Sequence, residues 1–353
     1  MENNSNEYIG YVGTTSINGS KGVYQISVSS ETGKGQILEC APVYNSGALA
    51  LSGDKKVLYA LSEGMTFHGA GKGGITVFQT EKGKLEEKNW AISDGQRPCF
   101  AALNEKRNEI YIANFYGGTI SVFEVWANGE IGKKKKTIKH KKLGPFGPGV
   151  HCVAIAPDGR YFFSLELSGD LLYLYDAEND YAIVESIAFP ERSGPRHIAI
   201  SEDGKTIYVN RQGDEKVSVI QFHPEEVKKL ELVQEVSSRT EDMKTRTEPA
   251  GIQICPGKRL LAVSNRGVGS KNREDSISLF RIVEDTEQLE SIKVVRTGGQ
   301  MPRDFSFTPD GKLLLVGYQF QGYLDSYRVT EDGSDLEYLG RTLEIPSPVC
   351  IAF

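Results

Sequence analysis

Cysteine, the residue that cross-links small domains through disulfides or binds metal ions in them, is scarce in this sequence. Its 353 residues include 2 tryptophans, 4 methionines and 5 cysteines. The cysteines Cys40, Cys99, Cys152, Cys255 and Cys350 are odd in number, far apart and without a C-x-x-C pair. That spacing supports neither a disulfide framework nor a zinc site. We therefore expect buried free thiols in strands, and a reducing compartment.

Positive charge and long apolar runs are also lacking. Lys and Arg number 41 against 47 Asp and Glu, a formal net charge of −6, whereas nucleic-acid-binding domains are usually basic. No stretch approaches the roughly 20 apolar residues that cross a bilayer. The N-terminal segment MENNSNEYIGYVG has neither the basic nor the apolar part of a secretory signal. We expect a cytoplasmic protein with no nucleic-acid or membrane partner.

Two minor features receive the ordinary interpretation. The run KKKKTIKHKK at 133–142 is interpreted as a solvated loop rather than a nucleic-acid contact. His68, His140 and His223 are interpreted as surface or loop residues.

What the sequence does contain is an internal repeat. Two short apolar runs flank a turn in RHIAISEDGKTIYVNRQ (196–212), VHCVAIAPDGRYFFSLE (150–166) and RDFSFTPDGKLLLVGYQ (303–319). A third alternating run follows each pair, as in KVSVIQF (216–222). The runs are rich in Val, Ile, Tyr and Phe, and Asp-Gly turns join them, so they indicate hairpin strands. A period of roughly 45–55 residues is typical of four-stranded propeller blades.

The two ends of the chain set the number of blades. Residues 7–16 and 22–28 supply a second and a third strand without a first, and SPVCIAF (347–353) is a first strand with nothing after it. Pairing the two ends completes one more blade and removes the open edge of the ring. The sequence thus predicts an all-β fold, a single seven-bladed propeller spanning 1–353 and closed by its N- and C-terminal strands. Two separate β domains are the alternative.

Propeller geometry predicts where polar side chains meet. The first two strands of a blade are antiparallel and lie nearest the axis, so the start of strand one and the end of strand two face the same mouth of the central channel. Strand-one starts supply Arg97, His151, Arg196, His197 and Arg303; strand-two ends supply Glu63, Asn114, Glu166, Arg211, Gln212, Asn265, Arg266 and Gln319.

Five of these residues are arginines, in an acidic protein. Guanidinium groups so close together are costly unless they are paired or offered to an anion. We interpret the mouth as a pocket for a small anionic molecule. A structural network, in which Glu63, Glu166 and backbone carbonyls satisfy the arginines, is the alternative. No motif indicates a cofactor, and two carboxylates among five arginines speak against a metal ion.

The same segments resemble a known family. The matching pieces are YVGTTS (11–16), ANFYGGTISVF (113–123), SGPRH (193–197), SNRG (264–267), GGQMPRDFSFTPDG (298–311) and PSPVCIAF (346–353). They resemble, over nearly the full length and in the same order, the seven-bladed propeller lactonases. That family includes the propeller-type 6-phosphogluconolactonases and the fungal carboxy-muconate cyclases.

The resemblance implies site residues by motif. It places the family's active-site His on His151 and its two arginines on Arg196 and Arg266, whereas the family's Glu falls on Gln212. An amide cannot take up a proton, so a base at that position is lost. Of the family's P-H-x-H only the second His is kept, in Pro148–His151.

These parallels imply a hydrolase of a phosphorylated sugar lactone in carbohydrate metabolism. In that hypothesis His151 is the base that activates water, and Glu166 either orients His151 or acts as the base in its place. Arg196 and Arg266 contact the substrate. Arg303 and Arg211 are candidates for binding phosphate. Glu63, Asn114, His197, Gln212 and Gln319 would complete the binding site. A muconate-type lactonising cyclase and a non-catalytic propeller that binds a small anion or a protein are the alternatives.

Overall fold

The computed structural model describes residues 6–63, 73–141, 149–269 and 273–353. Within these ranges the chain forms 28 strands in seven four-stranded antiparallel sheets, and the secondary-structure elements include no helix. The described part therefore offers no helix that could span a membrane.

Each sheet is one blade. Six blades are built from four consecutive strands, and blade 1 combines the last strand of the chain with the first three. Blade 1 holds β28 (Pro348–Ala352), β1 (Glu7–Thr14), β2 (Gly22–Ser29) and β3 (Gly35–Pro42). Blade 2 holds β4 (Leu49–Leu51), β5 (Val57–Ser62), β6 (Gly74–Glu81) and β7 (Lys84–Ile92). Blade 3 holds β8 (Pro98–Asn104), β9 (Glu109–Asn114), β10 (Thr119–Val125) and β11 (Ile131–Lys139). Blade 4 holds β12 (Val150–Ile155), β13 (Tyr161–Glu166), β14 (Leu171–Asp176) and β15 (Ala182–Ala188). Blade 5 holds β16 (Pro195–Ile200), β17 (Thr206–Arg211), β18 (Lys216–Phe222) and β19 (Leu230–Ser237). Blade 6 holds β20 (Thr247–Ile254), β21 (Leu260–Gly267), β22 (Ser276–Ile282) and β23 (Leu289–Arg296). Blade 7 holds β24 (Pro302–Phe307), β25 (Leu313–Tyr318), β26 (Tyr323–Val329) and β27 (Leu336–Glu344).

The predicted closure of the ring is confirmed. The C-terminal strand β28 pairs with β1 through Tyr11↔Ala352 and Val12↔Ile351. It thereby becomes the innermost strand of blade 1. Because the last strand covers the free edge of the first, the inner edge of blade 1 is not left open.

Tight turns join the first two strands of a blade as the sequence predicts. Gly159, Gly204 and Gly311 have φ of 75°, 76° and 67°, a conformation that favours glycine. The aspartate before each glycine accepts hydrogen bonds within the turn. In blade 5, for example, Asp203 Oδ1 accepts from the Ser201 hydroxyl at 2.7 Å. These bonds fix the hairpin that carries strand two back to the mouth.

The hydrophobic core lies between blades. Seven apolar clusters are found in the described residues, each shared by two neighbouring sheets. Phe163 of blade 4 packs in one cluster with Val209 of blade 5, and Val12 of blade 1 packs with Leu315 of blade 7. Every blade therefore depends on both neighbours for burial of its apolar faces.

The interpretation of the basic run as a loop is wrong. Residues 131–139 form β11, the outer strand of blade 3. The amino groups of three lysines of this strand pair with carboxylates, namely Lys134 with Asp94, Lys135 with Glu109 and Lys136 with Asp180. Three consecutive lysines of this strand, residues 133–135, are exposed, which suits an outer strand. Lys142 and His68 lie outside the described residues.

Candidate active site

A cavity of about 190 Å³ opens at one end of the channel axis. Its lining comes from blades 3 to 7, at the starts of their first strands and the ends of their second strands. The lining residues are Arg97, Cys99, Phe115, His151, Leu167, Arg196, Gln212, Glu248, Arg266 and Arg303. The structure thus brings four of the five predicted arginines together, with His151 and Gln212.

Arg196 lies at the centre of this cluster and is only 5% exposed. Its Nη1 donates to His151 Nε2 at 2.6 Å and more weakly to Gln212 Oε1 at 3.4 Å. Its Nε–H has no partner among the described residues. Burial, with Arg266 and Arg303 close by, lowers the pKa of Arg196 well below its usual value. This buried guanidinium is therefore held without a carboxylate partner, which is costly unless an anion binds.

His151 is held as a neutral hydrogen-bond donor. Because Nε2 accepts from Arg196, the ring proton lies on Nδ1, and Nδ1 has no partner in the described part of the chain. Burial, and secondarily the charge of Arg196, lowers the pKa of His151 well below 6.5. An imidazole in this state can donate a hydrogen bond, but it binds a proton weakly.

Arg266 joins a glutamine and a glutamate at the rim of the cavity. Its Nη2 donates to Gln212 Oε1 at 3.0 Å and to Glu248 Oε2 at 3.1 Å, and its Nε donates to the Glu248 carbonyl at 3.3 Å. Burial and the charge of Arg303 lower the pKa of Arg266 to about 10. The amide of Gln212 therefore connects the two central arginines without adding negative charge.

The remaining two arginines differ in their partners. Arg97 donates from Nε to Glu63 Oε2 at 3.2 Å and from Nη1 to the Tyr116 hydroxyl at 2.9 Å. Arg303 lines the cavity, yet none of the described residues forms a hydrogen bond or ion pair with its guanidinium. Burial lowers the pKa of Arg303. No carboxylate is thus bonded directly to Arg303, and Glu63 and Asp304 act on its charge only at longer range.

The charge balance of the mouth is positive. Four guanidinium groups face the cavity, and two carboxylates, Glu63 and Glu248, pair with Arg97 and Arg266. Arg196 and Arg303 have no carboxylate within hydrogen-bond distance in the described residues. Two uncompensated positive charges in one small cavity match a ligand with about two negative charges, such as a phosphate monoester.

Arg211 does not lie in the mouth, so its predicted position is wrong. Its side chain is 0% exposed and is directed across the face of its own blade. Its guanidinium pairs with Asp214 at 2.7 Å and with Glu235, and it packs over the Phe189 ring at 5.4 Å. These contacts give Arg211 a structural role.

Three further predicted residues lie beside the mouth cavity rather than in its lining. Asn114 is fully buried and donates to the hydroxyls of Thr119 and Ser121 at 3.2 and 3.1 Å. Gln319 follows β25, and its backbone N–H donates to the Met301 carbonyl at 3.2 Å. Glu63 pairs with Arg97, and its negative charge also acts on Arg303. Pro148, which begins the altered family motif, lies outside the described residues.

Glu166 is fully buried in a network that joins blades 3 and 4. It accepts from His140 Nδ1 at 3.0 Å and from the backbone N–H of Gly149. His140 Nε2 in turn lies 2.6 Å from the Tyr175 hydroxyl. The interpretation of His140 as a surface residue is wrong, since its side chain is 1% exposed. Glu166 is not in the cavity lining, and no hydrogen bond joins its carboxylate to His151 in the described residues, so the network indicates a structural role.

We expect Glu166→Ala to destabilise the protein by about 3 kcal/mol, because it leaves His140 and the Gly149 N–H buried without an acceptor. Glu166→Gln keeps an acceptor and should cost less. Urea unfolding measures both losses. An alanine variant as stable as the parent but catalytically dead would instead assign Glu166 to the catalytic group.

A second chamber of about 250 Å³ continues along the axis beneath the mouth. Cys99, His151, Arg196 and Arg303 line both spaces and so form the floor of the mouth. The predicted site residue His197 lines this chamber and not the mouth; its ring centre lies 5.1 Å from that of His151. Burial and Arg196 also lower the pKa of His197 well below 6.5.

Asp304, in this chamber, predicts a pH dependence of stability. Its Oδ2 accepts from the Ile351 N–H of the closing strand at 2.9 Å, and burial raises its pKa to about 6. The folded state therefore holds this proton more tightly than the unfolded state. The stabilisation it gives is full below about pH 4 and is lost as the pH rises through 6.

We expect Asp304→Asn, which cannot ionise, to gain stability relative to the parent between pH 4 and 7.5, by roughly 1–3 kcal/mol. Urea unfolding of both proteins at the two pH values measures the difference. Comparing the two proteins cancels the opposite contribution of His151 and His197, whose lowered pKa values cost stability as the pH falls below 6.5. An equal difference at both pH values would contradict the assignment.

The residue that sequence reasoning missed is Glu248. The apolar run GIQICPGK of blade 6 starts at Gly251 in the sequence, but β20 begins at Thr247, and its register shifts between Pro249 and Ile252. A signal for it exists. Prolines mark the first strand of several blades, and Glu248 precedes Pro249 as Arg97 precedes Pro98.

The described residues contain no group of three or more His, Cys, Asp or Glu that could hold a metal ion. All five cysteines are free. The described lining of the mouth thus offers guanidinium, imidazole, amide, carboxylate and thiol groups.

Comparison with known proteins agrees with this architecture. A sequence profile described as "Lactonase, 7-bladed beta-propeller" matches residues 9–353. The 6-phosphogluconolactonase of Bacillus subtilis is 28% identical over 358 residues, covering 98% of both chains. A candidate 6-phosphogluconolactonase of Bacteroides fragilis is 27% identical, and its crystal structure has a TM-score of 0.87, covering 100% of this chain and 99% of its own. The periplasmic gluconolactonase of Pseudomonas aeruginosa gives 0.88 over 98% and 99%, but at 22% identity this likeness shows the fold alone.

Proposed function

Because this chain belongs to the seven-bladed β-propeller lactonase family, we propose that it hydrolyses a phosphorylated sugar lactone, with 6-phosphogluconolactone as the substrate. The observation that carries the proposal is the pair of uncompensated guanidinium groups, Arg196 and Arg303, in the mouth of an otherwise acidic protein. A dianionic phosphate held at Arg303 brings enough negative charge into this small cavity to offset both guanidinium groups, whereas an uncharged lactone offsets neither. The reaction would belong to carbohydrate metabolism, and the B. subtilis relative carries the name 6-phosphogluconolactonase.

The site residues take the following roles in this proposal. Arg303 and Arg97 hold the phosphate, and Arg196 and Arg266 face the lactone carbonyl. Water attacks that carbon, and negative charge develops on its oxygen. A guanidinium already in place stabilises this charge without reorganisation, an effect of roughly 10²–10³ in kcat for one donor. His151 accepts from Arg196 and thereby holds that guanidinium in place.

One observation favours a second candidate. Gln212 joins Arg196 and Arg266 where the family carries a carboxylate, and an amide cannot transfer protons. A propeller that binds an anionic metabolite without turning it over would keep the arginines and tolerate this loss. The choice between the two depends on turnover, not on binding.

The five free cysteines favour a reducing compartment, and we propose a cytoplasmic location. Detection of the protein in the cytoplasmic fraction of the cells and in the culture medium tests this directly.

The experiment is a pH-stat assay, because lactone hydrolysis releases one proton per turnover at neutral pH. We expect proton release well above the spontaneous rate with 6-phosphogluconolactone and a much lower kcat/KM with unphosphorylated gluconolactone. A third arm uses a carboxylated muconate, monitored for ring closure. Binding of 6-phosphogluconate in a thermal-shift assay without turnover of any lactone would favour the non-catalytic candidate.

A further inference from the structure

The proposed hydrolysis requires a group that removes a proton from water, and most candidates in the mouth cannot do so. Nε2 of His151 already accepts from Arg196 at 2.6 Å. Gln212 is an amide. Burial raises the pKa of the Cys99 thiol to about 12, so it stays protonated. His151, the base in the sequence-based hypothesis, and Gln212, at the position of the family's Glu, are therefore both unsuited to removing a proton from water.

Glu248 is the acidic residue in the lining of the mouth cavity as described. Its side chain is 29% exposed, so water reaches it. One oxygen, Oε2, accepts from Arg266 Nη2 at 3.1 Å, which fixes the orientation of the carboxylate. The other oxygen, Oε1, has a looser ion pair with the exposed Arg246 at 3.7 Å. The carboxylate is thus anchored on one side and open on the other.

The position of Glu248 also fits the carbonyl-binding arginine. Glu248 and Arg266 are directly opposite each other in the β20–β21 register, and Arg266 is a residue proposed to face the lactone carbonyl. A water bound to Oε1 would be held by a carboxylate that Arg266 itself orients. General-base catalysis requires this proximity before any matching of pKa.

We propose that Glu248 is the general base of the reaction, an assignment that rests on the proposed lactonase function. Its carboxylate takes a proton from water as the water oxygen bonds to the lactone carbon. The tetrahedral oxyanion collapses, the ring C–O bond breaks, and Glu248 returns the proton to the departing ring oxygen. The new carboxylic acid releases its proton to solvent, and the carboxylate of Glu248 is regenerated.

The test is steady-state proton release from 6-phosphogluconolactone by Glu248→Gln, which keeps an acceptor for Arg266 but cannot take a proton. We expect kcat to fall by about 10²–10⁴-fold with KM changed by less than about threefold. Added formate should restore part of the kcat of Glu248→Ala, because a small carboxylate can occupy the space left beside Arg266. Glu241→Gln, an exposed loop residue, is the matched control for the loss of one negative charge and should retain the parent kcat.

Three outcomes would overturn the assignment. Retention of more than about a third of kcat by Glu248→Gln would show that the base lies elsewhere. A fall in kcat accompanied by an equally large rise in KM, with no rescue by formate, would show that Glu248 only holds Arg266 in position. A parent protein that turns over no lactone would overturn the proposed function, and this assignment with it.

Discussion

Removal of residues 346–353 is expected to prevent formation of a stable closed ring. The deletion takes away β28 and exposes the inner edge of β1. Val349 and Ile351 are 5% and 4% exposed, and burying each contributes about 1.5–3 kcal/mol. The Phe353 ring also packs against Tyr8, with ring centres 6.4 Å apart. Together these losses approach the whole stability of a typical domain, about 5–15 kcal/mol.

The measurement is the urea midpoint of the truncated chain, with size-exclusion chromatography to detect association through the open edge. Because the truncated chain can be insoluble, Ile351→Ala and Ile351→Val provide a graded series. The alanine variant should lose about 2–5 kcal/mol and the valine variant about 0.5–1.5 kcal/mol. A truncated protein that unfolds at the parent midpoint would show that the ring does not depend on this strand.

Arg303→Met and Arg211→Met are expected to change stability in opposite directions. Arg303 is half-buried and has no hydrogen-bond partner among the described residues, so methionine removes an unpaired charge and should raise the free energy of unfolding by roughly 1 kcal/mol. Arg211 is fully buried and paired with Asp214 and Glu235. Its replacement leaves two carboxylates without a partner and should cost about 3 kcal/mol.

Activity should separate the same two variants in the other direction. Without Arg303 the phosphate loses one charged contact, and we expect kcat/KM for 6-phosphogluconolactone to fall by about 10²-fold. Arg211→Met should keep the parent KM. Urea unfolding and pH-stat kinetics on both proteins complete the comparison. An Arg303 variant that is destabilised but fully active would mean that the arginines form a structural network, the alternative that the sequence left open.

The fold could be predicted because its signals are local and repeated. Each hairpin carries its own alternation and its own Asp-Gly turn, and the incomplete blades at the two chain ends fit together in one way. Antiparallel pairing then places strand-one starts beside strand-two ends whatever the details of packing. That rule brought His151, Arg196, Gln212, Arg266 and Arg303 to one cavity.

The same rule could not say which side chains face the axis. Arg211 and Gln212 are adjacent at the end of β17, and successive side chains of a strand point to opposite faces. The side chain of Gln212 therefore lines the mouth. The side chain of Arg211 instead bonds to residues of the two outer strands of its own blade. The sequence pattern does not reveal Glu248, because a register shift near the start of β20 changes which residue faces the mouth. Small irregularities of this kind leave little trace in an unaligned sequence.

The protonation of the site was equally beyond sequence analysis. His151 was assigned as the base because imidazole titrates near neutral pH in water. In the folded protein its acceptor nitrogen bonds to Arg196, and burial disfavours its charged form. Only the three-dimensional arrangement distinguishes a histidine that donates from one that accepts, and it directs attention to the open oxygen of Glu248.

The central claim is that the uncompensated arginines of the mouth bind a phosphorylated sugar acid. A crystal structure of the protein soaked with 6-phosphogluconate, the product of the proposed reaction, tests it most directly. We expect the ligand in the mouth cavity, with phosphate oxygens within hydrogen-bond distance of Arg303 and the carboxylate beside Arg196 or Arg266. A ligand bound elsewhere on the molecule, or an empty mouth at a concentration that saturates binding in solution, would contradict it.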